Sequence, residues 1–82
     1  MDNDYELLYL AKDDDQVKDL IYQKYKKLIY YKARKYSQRN NTNNELEDYI
    51  SEGTLALYET IDNYRDTTPY NIYLNRCLEN AL

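Results

Sequence analysis

The sequence predicts an all-α protein, a compact bundle of about four helices, on three observations. Its 82 residues include one glycine and one proline, so little interrupts long helices. Apolar residues recur at i, i+3, i+4 and i+7, which is the period of an amphipathic helix. Residues with capping chemistry stand where the predicted helices begin. A chain of this length forms one domain, residues 1–82, with a thin core.

The first two predicted helices span about residues 4–11 and 15–37. The first directs Leu7, Leu8, Leu10 and Ala11 inward, and the aspartates at 13–15 end it. Asp13, with Gln16 three residues later, provides a capping-box pattern for the second. The apolar stripe of the second helix comprises Val17, Leu20, Ile21, Tyr25, Leu28, Ile29 and Tyr36. The polar stretch from Ser37 to Asn44 predicts a loop.

The third helix, at about residues 45–63, has the most regular pattern. Its stripe comprises Leu46, Tyr49, Ile50, Gly53, Leu57, Thr60, Ile61 and Tyr64. Asn44 can cap it, and Glu47 completes a capping box. Gly53 costs about 0.5–1 kcal/mol relative to alanine inside a helix. Because Gly53 lies on the stripe, we expect another helix to pass close to it.

The fourth helix, at about residues 69–82, starts with Thr68 as N-cap and Pro69 in its first turn. Its apolar positions are Ile72 or Tyr73, Leu74, Cys77, Leu78, Ala81 and Leu82. This register predicts that Cys77 is a small core residue.

Catalytic, metal and cofactor sites are not expected. The chain has one cysteine and no histidine, so it offers neither a disulfide nor a Cys/His zinc cluster. It lacks a glycine-rich phosphate loop and a nucleophile–base pattern. No apolar run approaches the roughly 20 residues of a membrane span, and the N-terminus is acidic where a signal peptide is basic. We therefore expect a cytoplasmic protein that is not an enzyme and does not bind membranes.

Charge is separated into blocks, although the net charge is −4. Residues 24–39 contain seven basic and no acidic side chains, whereas residues 45–66 contain seven acidic side chains against Arg65. A negative total opposes strong nonspecific DNA binding, because phosphate neutralisation dominates that affinity. The separation predicts two surfaces with different partners.

Each block has two interpretations. In the third helix Asp48, Glu52, Leu55, Glu59 and Asp62 lie opposite the apolar stripe. They form either a solvated face or a docking site for a basic helical partner, which the apolar Leu55 would suit. The basic segment of the second helix interleaves Tyr30, Tyr31 and Tyr36 with its cations. It either binds nucleic acid by stacking or serves solubility.

Residues 45–82 (ELEDYISEGTLALYETIDNYRDTTPYNIYLNRCLENAL) resemble region 2 of the sigma-70 family. The family pattern is D-L-x-Q-E-G, a small-Leu pair, a later aromatic, then F-x-x-Y opening a helix that ends I-R-N-A-I. The matching positions are Asp48, Tyr49, Glu52, Gly53, Ala56, Leu57, Tyr64, Tyr70, Tyr73, Leu78, Asn80, Ala81 and Leu82. Residues 6–36 are similar to the opening of that region.

The resemblance implies a compact helical bundle that docks on a basic coiled coil, the β′ clamp helices of bacterial RNA polymerase. The resemblance implies Asp48 and Glu52 as clamp-binding residues, and the expected site also takes in Ser51 and Thr54 beside them and Leu55 and Glu59 from the same face of the helix. Ser51 stands where the family has glutamine, and Thr54 where it has asparagine.

The resemblance also implies promoter −10 recognition or melting by Tyr70, Tyr73 and Arg76. The paired tryptophans of primary sigma factors are replaced by Arg76 and Cys77, and the family arginine before Asn-Ala is Glu79. We therefore expect promoter DNA to be contacted only within the holoenzyme. Clamp docking is the better supported of the two activities.

The leading interpretation is a stand-alone region 2. It is either an excised domain or the small subunit of a split sigma factor, whose partner sigma subunit supplies the −35-binding domain. The start at Met1 and the length of 82 residues favour the natural small subunit. The alternatives are a helical DNA-binding regulator that uses the basic second helix, an antagonist that occupies the clamp, and a purely structural bundle.

Overall fold

A computed structural model describes residues 4–40, 46–65 and 68–82, with the backbone alone for residues 4, 5, 39 and 40. Within these ranges the helices are α1 (Asp4–Ala11), α2 (Asp15–Asn40), α3 (Leu46–Asn63) and α4 (Tyr70–Ala81). Helix α1 packs on α2, α2 on α3, and α3 on α4. The prediction of an all-α bundle is confirmed.

The core draws on all the helices. It comprises Leu8, Ala11, Ile21, Ile29, Leu57, Ile61, Tyr64, Tyr70, Leu74 and Leu78. The inward assignments of Leu10 and Leu20 are wrong, since these side chains are 50% and 56% exposed. Residues 8 and 10 are two positions apart, about 200° around a helix, so a helix covered on one side cannot bury both.

Helix α2 begins at the predicted residue and ends later than predicted. Of the three aspartates before and at its start, Asp14 is the N-cap: its carboxylate accepts the Gln16 backbone N–H at 2.9 Å, and its carbonyl accepts that of Lys18 at 3.1 Å. The helix also runs on through Ser37 to Asn40, where a loop was expected. Half-burial of Ser37 shows that this turn still has a packed side. The Asn44 cap lies outside the described residues.

Helix α4 starts one residue later than predicted. Pro69, not Thr68, holds the N-cap position, with φ −52° and ψ 136°. Its carbonyl accepts the backbone N–H groups of Ile72 and Tyr73, both at 3.1 Å. The extended ψ keeps Pro69 itself out of the helix. The Thr68 carbonyl instead accepts a hydrogen bond from the Tyr64 hydroxyl.

Tyr70 joins α4 to the rest of the core. Its side chain is 1% exposed, and its ring meets those of Tyr25 and Tyr64 edge-on at centroid distances of 5.5 and 5.3 Å. Its hydroxyl lies 2.7 Å from the Thr60 hydroxyl, which donates its own proton to the Leu57 carbonyl at 2.6 Å. Tyr70 is therefore the donor to Thr60. This bond allows a tyrosine to be fully buried.

At Gly53, helix α2 packs closely against α3. A Cβ added there would stand 2.8 Å from Cγ2 of Ile29, and 3.7 Å from a methyl of Leu78. Ile29 is 1% exposed, so it has little room to move. The expectation that a neighbouring helix approaches Gly53 is confirmed, and the approaching group is a β-branched side chain.

Ion pairs connect α2 to the last two helices. Lys18 lies 3.7 Å from Asp62 of α3, and Lys32 lies 3.3 Å from Glu79 of α4. The Lys32 side chain is only 13% exposed, whereas that of Glu79 is 59% exposed. Because Lys32 is largely withdrawn from water, Glu79 is an important neutralising group for it.

We expect Glu79→Arg to destabilise the fold by about 1 kcal/mol, because it replaces this attraction with a like-charge contact. Thermal unfolding followed by circular dichroism should show a melting temperature roughly 4–8 °C lower. The swapped pair, Lys32→Glu with Glu79→Arg, is the matched control and should recover part of the loss. An unchanged melting temperature for Glu79→Arg would show that the pair contributes nothing.

Candidate functional site: the acidic face of α3 and the groove beside it

The acidic face is the group Asp48, Ser51, Glu52, Leu55 and Glu59 of α3, in which Asp48, Glu52, Leu55 and Glu59 follow one another by about one helical turn. All five side chains are exposed, and Leu55 is 62% exposed. The opposite side of the helix buries Tyr49, Gly53, Leu57, Thr60 and Ile61. Helix α3 is therefore held by one side and presents acids around an apolar residue on the other.

Two residues assigned to this surface from sequence have other roles. Asp62 is drawn towards α2 by its ion pair with Lys18. Thr54 is half-buried, and its hydroxyl donates to the Ile50 carbonyl one turn back at 2.8 Å. Because Thr54 is half-buried and its hydroxyl proton is already donated, it lies at the border of the acidic face.

An open groove of about 580 Å³ runs between α3 and α4, and the acidic face forms one of its walls. Ala56 lies in this groove beside Leu55, and Cys77, Asn80 and Ala81 of α4 line it opposite. A smaller depression continues it past Asp48 to Leu82. The α4 residues were missed as site residues from sequence. Their one-turn spacing is visible there, but their position opposite Leu55 depends on how the helices pack.

Tyr73 and Cys77 lie inside the groove. Cys77 is half-buried, so its sequence-based interpretation as a core residue is wrong. Burial raises the pKa of the Tyr73 hydroxyl, the hydrogen-bonded Cys77 thiol raises it further, and Arg65 opposes the rise. Tyrosine already titrates near pH 10, so this end of the groove presents a neutral phenol at physiological pH.

The three proposed DNA-contacting residues differ in exposure. Tyr70 is in the core, which leaves its ring no exposed face on which a base could stack. Tyr73 is half-buried in the groove, 5.5 Å from the Tyr64 ring, while Arg76 is exposed on α4. The family aromatic at position 70 is a structural residue in this chain.

The outer side of α2 carries the basic block. Among the side chains that the structure describes, its exposed cations are Lys24, Lys26, Lys27, Arg34 and Lys35. Lys27, Tyr31 and Arg34 follow one another by about one turn, and Tyr31 is 67% exposed. Lys32 does not belong to this surface, because its side chain is largely buried beside Glu79.

Within the described ranges, no three His, Cys, Asp or Glu side chains are grouped so that they could hold a metal ion. Across the same residues, none of the helices combines the length and hydropathy needed to cross a membrane.

Comparison with known protein families identifies this arrangement. The sequence model of the family described as Sigma-70 region 2 matches residues 21–82, well over half of the chain. The chain belongs to the sigma-70 region 2 family. The sequence-based resemblance is confirmed, and α3 and α4 lie entirely within the matched segment.

A curated relative supports the assignment to region 2. The chain is similar to the RNA polymerase sigma-E factor of Clostridium acetobutylicum, with 29% identity over 75 residues. The alignment covers 89% of this chain and 31% of that protein, so the region 2 chain spans under a third of its relative's length. No solved structure matches the chain.

One departure from the family pattern, at residue 79, has a structural explanation. Glu79 stands where the family pattern has arginine, and here it pairs with the largely buried Lys32. The acid is explained by an internal contact between α2 and α4.

Proposed function

We propose that the chain docks on the β′ clamp helices of bacterial RNA polymerase as the region 2 module of a transcription initiation factor. The observation that carries this proposal is the 62% exposure of Leu55 in the middle of the acidic face. A leucine left in water on a firmly packed helix gains about 1.5–3 kcal/mol when a partner buries it. The proposed activity is binding, without a catalytic step.

The chemistry of the acidic face specifies a basic helical partner. Carboxylates of Asp48, Glu52 and Glu59 surround Leu55 at one-turn spacing, which matches cations repeating at the same spacing on a second helix. Helices that meet in this way bury a central apolar contact and leave the ion pairs at the rim. A basic coiled coil such as the clamp helices presents this pattern.

The direct test is a titration of the fluorescently labelled chain with isolated β′ clamp helices. We expect saturable binding that weakens as salt rises, because part of the attraction is between exposed charges. A clamp hairpin with its basic residues reversed to acidic ones is the control. Failure of the unmodified hairpin to bind at any salt concentration would refute the proposal.

Within the holoenzyme we propose that Arg76, which is exposed on α4, assists promoter −10 recognition or melting. Tyr73 is not included, because it is half-buried in the groove that Glu52 and Glu59 also line. A second polypeptide is proposed to supply the −35-binding domain, which co-purification with tagged chain would reveal. The proposed site of this activity is the cytoplasm, where the polymerase is found.

Binding of promoter DNA by the isolated chain is expected to be weak. The net charge of −4 repels phosphate, and the proposed DNA contacts are reduced to Arg76. Fluorescence anisotropy at physiological salt should show no sequence-specific binding below the micromolar range. Submicromolar specific binding would contradict this expectation and favour the second candidate function.

That second candidate is a DNA-binding regulator that uses the outer side of α2. It is favoured by the exposure of Tyr31 beside Lys27 and Arg34, a combination that suits base stacking and phosphate contact. Direct binding of this kind would weaken steeply with salt, whereas a clamp-dependent activity requires the polymerase. The double variant Lys27→Glu, Arg34→Glu should abolish direct DNA binding and leave clamp binding unchanged.

A further inference from the structure

One wall of the groove between α3 and α4 carries carboxylates. Glu52 and Glu59 line it, and none of the lining residues that the structure describes is a lysine or an arginine. A nucleic-acid strand would bring phosphates against these carboxylates, so the groove does not suit one. A cationic polypeptide satisfies the same charges.

The residues in the middle of the groove are apolar, and their side chains are short. Ala56 on α3 faces Cys77 and Ala81 on α4, and Leu55 stands at the edge. Gly53 of α3 packs closely against Leu78 of α4, whereas the short side chains of Ala56, Cys77 and Ala81 leave the groove open. The open groove has room for an apolar side chain of a partner.

We propose that this groove is the second half of the docking surface, so that the partner contacts α4 as well as α3. A basic amphipathic helix lies along the acidic face and inserts one apolar side chain between Leu55 and Ala81, above Cys77. The inference rests on the proposed function and extends it. It assigns Cys77, Asn80 and Ala81 to the surface buried by the partner.

The single cysteine provides a direct readout, because Cys77 lines the groove and is half-buried. Its rate of modification by a thiol reagent should fall at least about tenfold when isolated β′ clamp helices saturate the chain. The matched control is the double variant Cys77→Ser, Gln23→Cys, whose thiol lies on the exposed side of α2. The modification rate of the thiol introduced by Gln23→Cys in this control should fall less than about twofold when the clamp helices bind.

Filling the groove provides a second test. Ala81→Trp places a large ring in the groove at an exposed position, so the fold should tolerate it. Binding to the clamp helices is expected to weaken at least about tenfold. Asn71→Trp, at an exposed position of α4 that does not line the groove, should change binding less than about twofold. Circular dichroism would verify that both variants remain helical.

The variant Glu52→Lys separates failure of this inference from failure of docking itself. Suppose that it weakens clamp binding while Cys77 remains fully reactive in the complex and Ala81→Trp binds like the unmodified chain. Docking by the acidic face would then stand, and the groove inference would be overturned. If the unmodified chain does not bind the clamp helices, both are overturned.

Discussion

Replacing Asp48 and Glu52 together by lysine should weaken binding to the β′ clamp helices by at least about 30-fold, or roughly 2 kcal/mol. Both carboxylates are exposed on one side of α3, so the two lysines would face the cations of the partner. Like charges brought together in an interface cost several kcal/mol, more than the loss of the original pairs alone. Fluorescence titration at two salt concentrations measures the effect, which should shrink at the higher one.

Two controls isolate the docking contribution. Glu6→Lys with Asp13→Lys makes the same change in net charge at exposed positions in α1 and the turn after it, and should leave binding nearly unchanged. Glu52→Lys alone is needed because Asp48 lies in the first turn of α3, where an acid also stabilises the helix by about 0.3–1 kcal/mol. Unchanged binding by the double variant, with helicity retained, would eliminate the acidic face as the docking site.

Gly53→Ala should lower the free energy of unfolding, although alanine is the better helix former. Propensity favours the variant by about 0.5–1 kcal/mol. Against this, the new Cβ would meet Ile29 Cγ2 at 2.8 Å, and overpacking a well-filled interface costs about 1–3 kcal/mol. The steric term wins because Ile29 is buried and branched at Cβ. Urea denaturation should show a loss of about 1–2 kcal/mol.

A double-mutant cycle identifies the contact responsible. Leucine lacks the Cγ2 atom, so Ile29→Leu should rescue part of the loss caused by Gly53→Ala. Ser51→Ala, at an exposed position of the same helix, should raise stability slightly and so calibrate the propensity term. A more stable Gly53→Ala protein would show that Ile29 yields without cost.

Glu52 and Gly53 are neighbours in sequence with opposite roles in α3. One is exposed on the acidic face and the other is buried against α2. Glu52→Lys should therefore reduce clamp binding with little change in stability. Gly53→Ala should reduce stability, and the fraction that remains folded should still bind. The contrast between adjacent substitutions would show that one helix is divided between folding and docking.

Several properties were determined by the sequence alone. Helical periodicity is local, so it placed the helices and the buried stripe of α3, from Tyr49 to Ile61. It also placed the acidic face opposite that stripe, since the two sides of a helix are fixed by the same 3.6-residue turn. The close approach at Gly53 followed from a glycine on a buried stripe. The family motif was recognised from the residues of α3 and α4.

Only the tertiary structure decided which apolar and aromatic residues are covered. Leu10 and Leu20 have core-like side chains yet are exposed, while Tyr70, a candidate DNA contact by motif, is bonded to Thr60 inside the core. The groove beside Leu55 likewise exists only because α4 lies against α3 with small residues facing the seam. Periodicity states which side of a helix is apolar. Whether that side is buried depends on which neighbouring helix covers it, and that depends on contacts between residues far apart in the chain.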